Sequence, residues 1–140
     1  MLPIGQIWIK ASKPKDFRYP LHPKTLGDHI RRRRIDLNLL QRELGQHIGV
    51  HGLSVTNWEL NRTIPELKHM PAILSFLGYN PLSRPTTLAE RLVLHRRCRG
   101  WSQKRLADEL DVDPTTLARW ERGEKTPWGP YAAKVKALLG

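Results

Sequence analysis

Apolar residues recur at helical spacing in two stretches of the chain, and polar, proline-containing sequence separates them. Leu26 and Ile30 begin one apolar stripe, and Leu88 and Leu92 begin another. Sliding the sequence by 62 residues aligns Thr25–Gly78 with Thr87–Gly140 without a gap. Identical pairs include Thr25/Thr87, Arg34/Arg96, Gln41/Gln103, Leu44/Leu106, Val50/Val112, Trp58/Trp120, Glu59/Glu121 and Pro65/Pro127. Ile30/Leu92, Ile48/Leu110 and Val55/Leu117 keep apolar character in both copies. The expected organisation is an arm (1–24), a first unit (25–78), a linker (79–86) and a second unit (87–140).

Each unit reads as helical. Thr87 with Glu90 three residues on forms a capping-box pattern, and Thr25 with Asp28 is its weaker counterpart. Asn38 and Gly100 stand where a left-handed residue ends the first helix of each unit. In the second unit Ser102 is a cap for a short helix to about Leu110. Asp113 caps the next, with Pro114 at its first position, where the missing N–H costs nothing. Asp111-Val112-Asp113 is a tight turn between them. The equivalents in the first unit are Gln41–Ile48, a turn at Gly49-Val50-His51, and Gly52–Leu60. Last helices are expected from about Leu67 to Leu77, split or shortened by Pro71, and from Pro127 to near Gly140. Residues 1–24 show no period and hold four prolines, so an extended arm is expected.

Charge adds a partner to this picture. Lys and Arg number 24 against 13 acidic residues, a net charge of +11 that suggests a polyanion, most commonly nucleic acid. The arm is the most one-sided stretch, with Lys10, Lys13, Lys15, Arg18 and Lys24 against Asp16. It is expected either to follow a minor groove or backbone, or to be a solubilising tail. No apolar run approaches the roughly 18 residues of a membrane span. The first residues lack a signal-peptide pattern, and the single Cys98 fits a reducing cytoplasm, so a cytoplasmic location is expected.

Two short helices joined by a three-residue turn make a helix-turn-helix layout. The stretch from Ser102 to Pro127 closely resembles the Xre/Cro family of phage-repressor-type domains, through Ser102, Gln103, Leu106, Ala107, Leu110, Val112, Thr116, Leu117, Trp120, Glu121, Gly123 and Pro127. The first unit resembles it through Gln41, Leu44, Gly45, Ile48, Val50, Val55, Trp58, Glu59 and Pro65. It departs in having Leu40 where a Ser or Thr cap is usual, and His51-Gly52 where a good cap and helix former are expected. The resemblance implies an all-α protein of two tandem lambda-repressor-like domains behind a basic arm. It also implies sequence-specific binding to double-stranded DNA in transcriptional regulation of prokaryotic or phage-like type.

The same resemblance selects the contact residues. The helix after the turn lies in the major groove, which puts Pro114, Thr115 and Arg119 at base edges in the second unit and Gly52, Leu53 and Asn57 in the first. Arg119 suits guanine O6 and N7, Asn57 suits adenine, and Leu53 suits a thymine methyl. Thr116 is expected at a phosphate, and Ser54 is its counterpart in the first unit. Gln41 and Gln103 are expected to bond a phosphate and brace the recognition helix. Arg62 and Lys125, in the loops that follow, grip the backbone. The pairs Arg34–Glu59 and Arg96–Glu121 are implied to be structural ion pairs beside the DNA surface. Trp58 and Trp120 are expected in the cores.

The remaining signals point away from catalysis. His47 and His51 share i, i+4 spacing without a third ligand, and His29-x-x-Arg32 lacks the rest of a recombinase constellation, so no metal, cofactor or catalytic residue is expected. Arg31–Arg34 cannot share one helix face, and Arg31–Arg33 read as a solvated basic helix. Besides a regulator binding a composite, non-palindromic site, two rivals fit the sequence. One is an adaptor or antitoxin-like subunit that holds a protein partner through its arm or first unit, a homodimer being another possible partner. The other is a structured-RNA binder.

Overall fold

The computed structural model describes residues 18–140, and among them all regular structure is helical. The helices are α1 (Leu26–Asp36), α2 (Gln41–Ile48), α3 (Gly52–Glu59), α4 (Met70–Leu77), α5 (Leu88–Cys98), α6 (Gln103–Leu110), α7 (Pro114–Glu121) and α8 (Gly129–Leu139). A 3₁₀ turn at Leu67–His69 precedes α4, whose second residue is Pro71. The chain separates into two compact units between Leu82 and Ser83.

Helix ends follow from their capping chemistry. Thr25 and Asp28 form a complete capping box on α1. On α5 the box is only half made: Thr87 accepts from the Glu90 N–H, but the Glu90 carboxylate takes the N–H and hydroxyl of Thr86 instead. Ser102 caps α6, and Asp113 accepts from the N–H groups of Thr115 and Thr116 at the start of α7. Asn38 and Gly100 both take positive φ after the first helix of their units. The two departures in the first unit do not leave bare ends. The Glu43 carboxylate takes the Leu40 N–H at 2.9 Å, and the His51 imidazole accepts from the Leu53 N–H at 3.2 Å. The weaker start of α3 that His51-Gly52 would suggest is thus corrected: α3 runs for eight residues at the positions equivalent to those of α7.

Unit 1 buries Ile30, Leu44, Val55, Trp58, Ile73 and Phe76 in one core, with α3 packed on both α1 and α2. Unit 2 buries Leu92, Leu106, Leu110, Leu117, Trp120 and Val135. Both tryptophans of the repeat therefore lie inside. Tyr19 belongs to the first unit rather than to a free arm. Its ring is covered by Arg32, and its hydroxyl donates to Asp36 at 2.9 Å while accepting from Arg32 Nε at 3.1 Å. Lys10, Lys13 and Lys15 lie outside the described residues. Tyr79, at the start of the expected linker, meets His29 Nδ1 through its hydroxyl at 2.7 Å. The solvated reading of Arg31–Arg33 is also corrected: all three are half-buried, Arg32 donates to Leu21 O and Arg33 to Phe76 O. The heads of Arg32 and Arg33 thus reach carbonyls, whereas Arg31 Nε is buried without a hydrogen-bond partner.

One difference between the units is a matter of contact distance. Gly27 lies under the end of α3, and a Cβ there would overlap the Trp58 carbonyl. The equivalent residue in unit 2 is Ala89. Gly27→Ala is expected to cost about 1–3 kcal/mol through overpacking. Ala89→Gly should cost at most about 1 kcal/mol, the helix-propensity difference alone. Urea unfolding of the intact chain measures both, and equal losses would contradict the close approach at Gly27.

Candidate nucleic-acid interface

Each unit fixes its recognition helix with a buried carboxylate. Glu59, at the end of α3, is 2 % exposed and receives both Arg34 Nε and Nη2 from α1, the latter at 2.8 Å. Gln41, from the first turn of α2, donates to the same carboxylate at 3.1 Å. Arg34 Nη1 goes to the Leu39 carbonyl, in the connection between α1 and α2. The second unit repeats the arrangement. Arg96 Nε and Nη2 reach Glu121 at 2.8 and 3.1 Å, Gln103 reaches it at 2.8 Å, and Arg96 Nη1 takes the Trp101 carbonyl. Three helices thus meet at one carboxylate in a fork-to-fork geometry that sets angle as well as distance.

The glutamines differ in their remaining capacity. Gln41 is half-buried, and its carbonyl accepts from the Thr56 hydroxyl at 2.6 Å. Gln103 is exposed, and Ala118 stands in the place of Thr56. Each amide keeps one N–H beyond the one given to glutamate, which is what a phosphate oxygen needs. Gln103 is the more exposed of the two.

The outward stripe of each recognition helix comes from residues i, i+4 and i+7, opposite the buried Val55/Trp58 or Leu117/Trp120. In unit 2 it reads Thr115 and Arg119 of α7, then Arg122 at the cap that follows, all exposed. In unit 1 it reads Leu53 and the half-buried Asn57 of α3, then Leu60 at the cap that follows, with Leu53 60 % and Leu60 44 % exposed. Pro114 is exposed at the entry of α7. Its counterpart Gly52 is half-buried against Arg42, where an added Cβ would stand 3.1 Å from Arg42 Cα. Gly52 is therefore a packing residue of the turn. Ser54 lies at the edge of the stripe, half-buried, and its N–H goes to the His51 carbonyl. Thr116, at the same place in α7, donates its hydroxyl to Asp113 at 2.6 Å, so that proton is already used within the protein.

Charges around α7 are partly matched. Arg122 and Glu124 form a two-bond ion pair at 2.8 and 3.1 Å. Hydrogen bonding to Arg122 holds the Glu124 carboxyl below its ordinary value, with attraction from Arg119 adding to it. Arg119 is exposed, and its guanidinium hydrogen-bonds no described residue. Lys125 and Arg62 are exposed in the loops after α7 and α3. The Thr116 hydroxyl, then the Thr116 N–H, hold Asp113 below the usual carboxylate value. A lowered carboxyl pKa means that the cap is complete above the ordinary value and is lost as the pH falls through the lowered one.

Sequence reasoning placed most residues of these stripes but missed Leu60, Ile64 and Arg122, and with Arg122 the ion pair that occupies Glu124. Comparing the two copies position by position carries the signal, since Leu60 aligns with Arg122 and Ile64 with Thr126.

No helix among the described residues is long and apolar enough to cross a membrane. No curated protein and no solved structure gives a significant match. A helix-turn-helix family model matches the chain twice, over residues 30–83 and 88–135. Those two spans cover most of the chain and coincide with the two helical units just described, so the chain belongs to the Xre/Cro-type helix-turn-helix family, in two tandem copies, and is a DNA-binding protein of that regulatory type.

Proposed function

We propose that the chain is a sequence-specific regulator that binds double-stranded DNA and concentrates its base reading in unit 2. The supporting observation is the polar, cationic outward stripe of α7. Thr115 and Arg119 stand one turn apart on the side opposite the core, and Arg119 has its full guanidinium fork available. Laid in a major groove, that fork suits guanine O6 and N7, and the Thr115 hydroxyl or methyl meets a neighbouring base edge. Pro114 shapes the entry of the helix. Gln103 and Lys125 supply phosphate contacts that set register without reading sequence. Thr116 acts mainly through the Asp113 cap, because its proton is used there. The Arg96–Glu121 pair positions α7 and touches no DNA itself.

Unit 1 offers DNA much less. Leu53 and Leu60 carry no hydrogen-bonding group, Gly52 is turned into the fold, and Ser54 is half-buried. Asn57 is the one amide on that stripe, and Arg42 and Arg62 are exposed cations near its two ends. This favours the adaptor-like role for unit 1, as a module that engages protein while unit 2 engages DNA. A composite site read by both units is the competing reading.

Selection of bound fragments from random duplex DNA, followed by titration of the preferred site, tests the assignment. Arg119→Ala should lose about 1–3 kcal/mol on that site and relax one base position. Equal affinity of the two proteins across all sequences would refute base reading by Arg119. Gln103→Ala should weaken binding to every duplex alike, and a loss confined to one site variant would show that Gln103 reaches a base. Asn57→Ala should leave affinity within about twofold, as for an uninvolved surface residue. Relaxation of a second base position by Asn57→Ala would favour the composite site.

A further inference from the structure

The two copies also differ in the groove between their first and last helices. In unit 2, α5 and α8 leave a cavity of about 370 Å³, with Leu88, Arg91, Ala132, Val135, Lys136 and Leu139 in its walls. That volume falls within the roughly 300–1,000 Å³ of small-molecule sites. Unit 1 occupies the corresponding place with its own side chains. The counterparts of Ala132 and Lys136 are Met70 and Leu74. Met70 is 1 % exposed and Leu74 is half-buried, whereas Ala132 and Lys136 are exposed. Tyr79, just after α4, sets its ring edge-on to His29 of α1, centroids 5.5 Å apart, with its hydroxyl 2.7 Å from Nδ1. His29 is the counterpart of Arg91. One copy thus closes this groove with a thioether and a phenol, and the other leaves it open with two cations in its walls.

We propose that the α5–α8 groove of unit 2 binds a small aromatic carboxylate. Leu88, Val135 and Leu139 supply an apolar floor for the ring, and Arg91 and Lys136 take the carboxylate. Tyr79 is the internal precedent for the pose: an aromatic ring beside the first helix, with its oxygen directed to the residue at the position of Arg91.

Charge complementarity and shape select this class together. The side chains of Arg91 and Lys136 are exposed and hydrogen-bond no described residue, whereas Lys134, on the same helix, pairs with Asp111 at 3.7 Å. A guanidinium fork matches the two oxygens of a carboxylate, and an ammonium beside it adds a second charge without demanding a direction. An inorganic anion would engage the cations and leave the apolar floor wet. A neutral ring would cover the floor and leave the cations unused. An aromatic acid satisfies both parts of the groove. The site lies on the first and last helices of the unit, apart from the Thr115–Arg119 stripe, and does not rest on the assignment of base reading to that stripe.

Amide NMR titration of the nuclease-treated full chain with benzoate and with phenylacetate tests the proposal, with benzyl alcohol and acetate as controls that lack the charge or the ring. An aromatic acid should shift the amides of Leu88, Arg91, Val135 and Leu139 saturably. Benzyl alcohol should bind about tenfold more weakly or worse, and acetate should give no saturable shift there. Arg91→Gln, a surface change, should weaken binding of the acid by about tenfold with unchanged helical circular dichroism. Ala132→Met, which installs the residue of unit 1, should abolish binding, and Arg91→Gln keeps the test open if that variant does not fold. No saturable shift with either acid at millimolar concentration would overturn the proposal. So would shifts spread over the basic surfaces of both units, equal affinity for benzyl alcohol, wild-type affinity in Arg91→Gln, or wild-type affinity in a folded Ala132→Met. Shifts of the same amides on raising protein concentration alone, with a doubling of mass in sedimentation equilibrium, would assign the groove to a contact between copies and overturn it as well.

Discussion

A buried glutamate at the end of each recognition helix governs the geometry of the whole unit. Glu59 and Glu121 each gather an arginine from the first helix and a glutamine from the second. Burying a carboxylate and a guanidinium removes both from water, and the attraction recovered roughly balances that loss. Net stability is therefore not what the cluster contributes most. Its contribution is direction: the guanidinium fork meets the carboxylate through two bonds, and the arginine's remaining nitrogen holds the carbonyl of Leu39 or Trp101. With those bonds made, the outward stripe of the third helix has one orientation relative to the amide of Gln41 or Gln103.

From that shared frame the two units diverge on their surfaces. In unit 2 the stripe is Thr115, Arg119, Arg122, and Glu124 neutralises one of its two arginines. Arg119 is left as the cation with its fork open, which suits reading a base better than gripping phosphate indiscriminately. In unit 1 the stripe is Leu53, Asn57, Leu60, and the amide of Gln41 is held at both ends by Thr56 and Glu59. The same positioning device thus presents a polar, cationic face in one copy and a largely apolar face in the other. The divergence lies in side chains that the frame itself leaves unconstrained.

Much of this was legible in the sequence because it depends on spacing. The 62-residue shift exposed the repeat, the Ser102 and Asp113 caps set the starts of α6 and α7, and the paired Trp and Glu located the recognition helices. What was not legible depends on three-dimensional neighbours. Imidazole caps a helix only when a ring nitrogen faces the free N–H, as His51 does for Leu53. The arginines of α1 look solvent-bound in a string of four, but Arg32 and Arg33 have carbonyls within reach. A lone Tyr19 among prolines gives no period, although it packs beneath Arg32. The apolar stripe of α3 was hidden because apolar residues lie on both sides of that helix, and periodicity does not say which side faces water.

The central claim is that the arginine–glutamate–glutamine cluster acts by orienting the recognition helix rather than by stabilising the unit. The most direct measurement is duplex-DNA affinity of the double variant Arg96→Met/Glu121→Leu, beside its unfolding midpoint. An apolar pair of similar volume should leave stability near that of the wild type. With the fork gone, α7 loses its fixed direction and affinity for the preferred site should fall by about tenfold or more. Wild-type affinity in a variant of wild-type stability would contradict the claim.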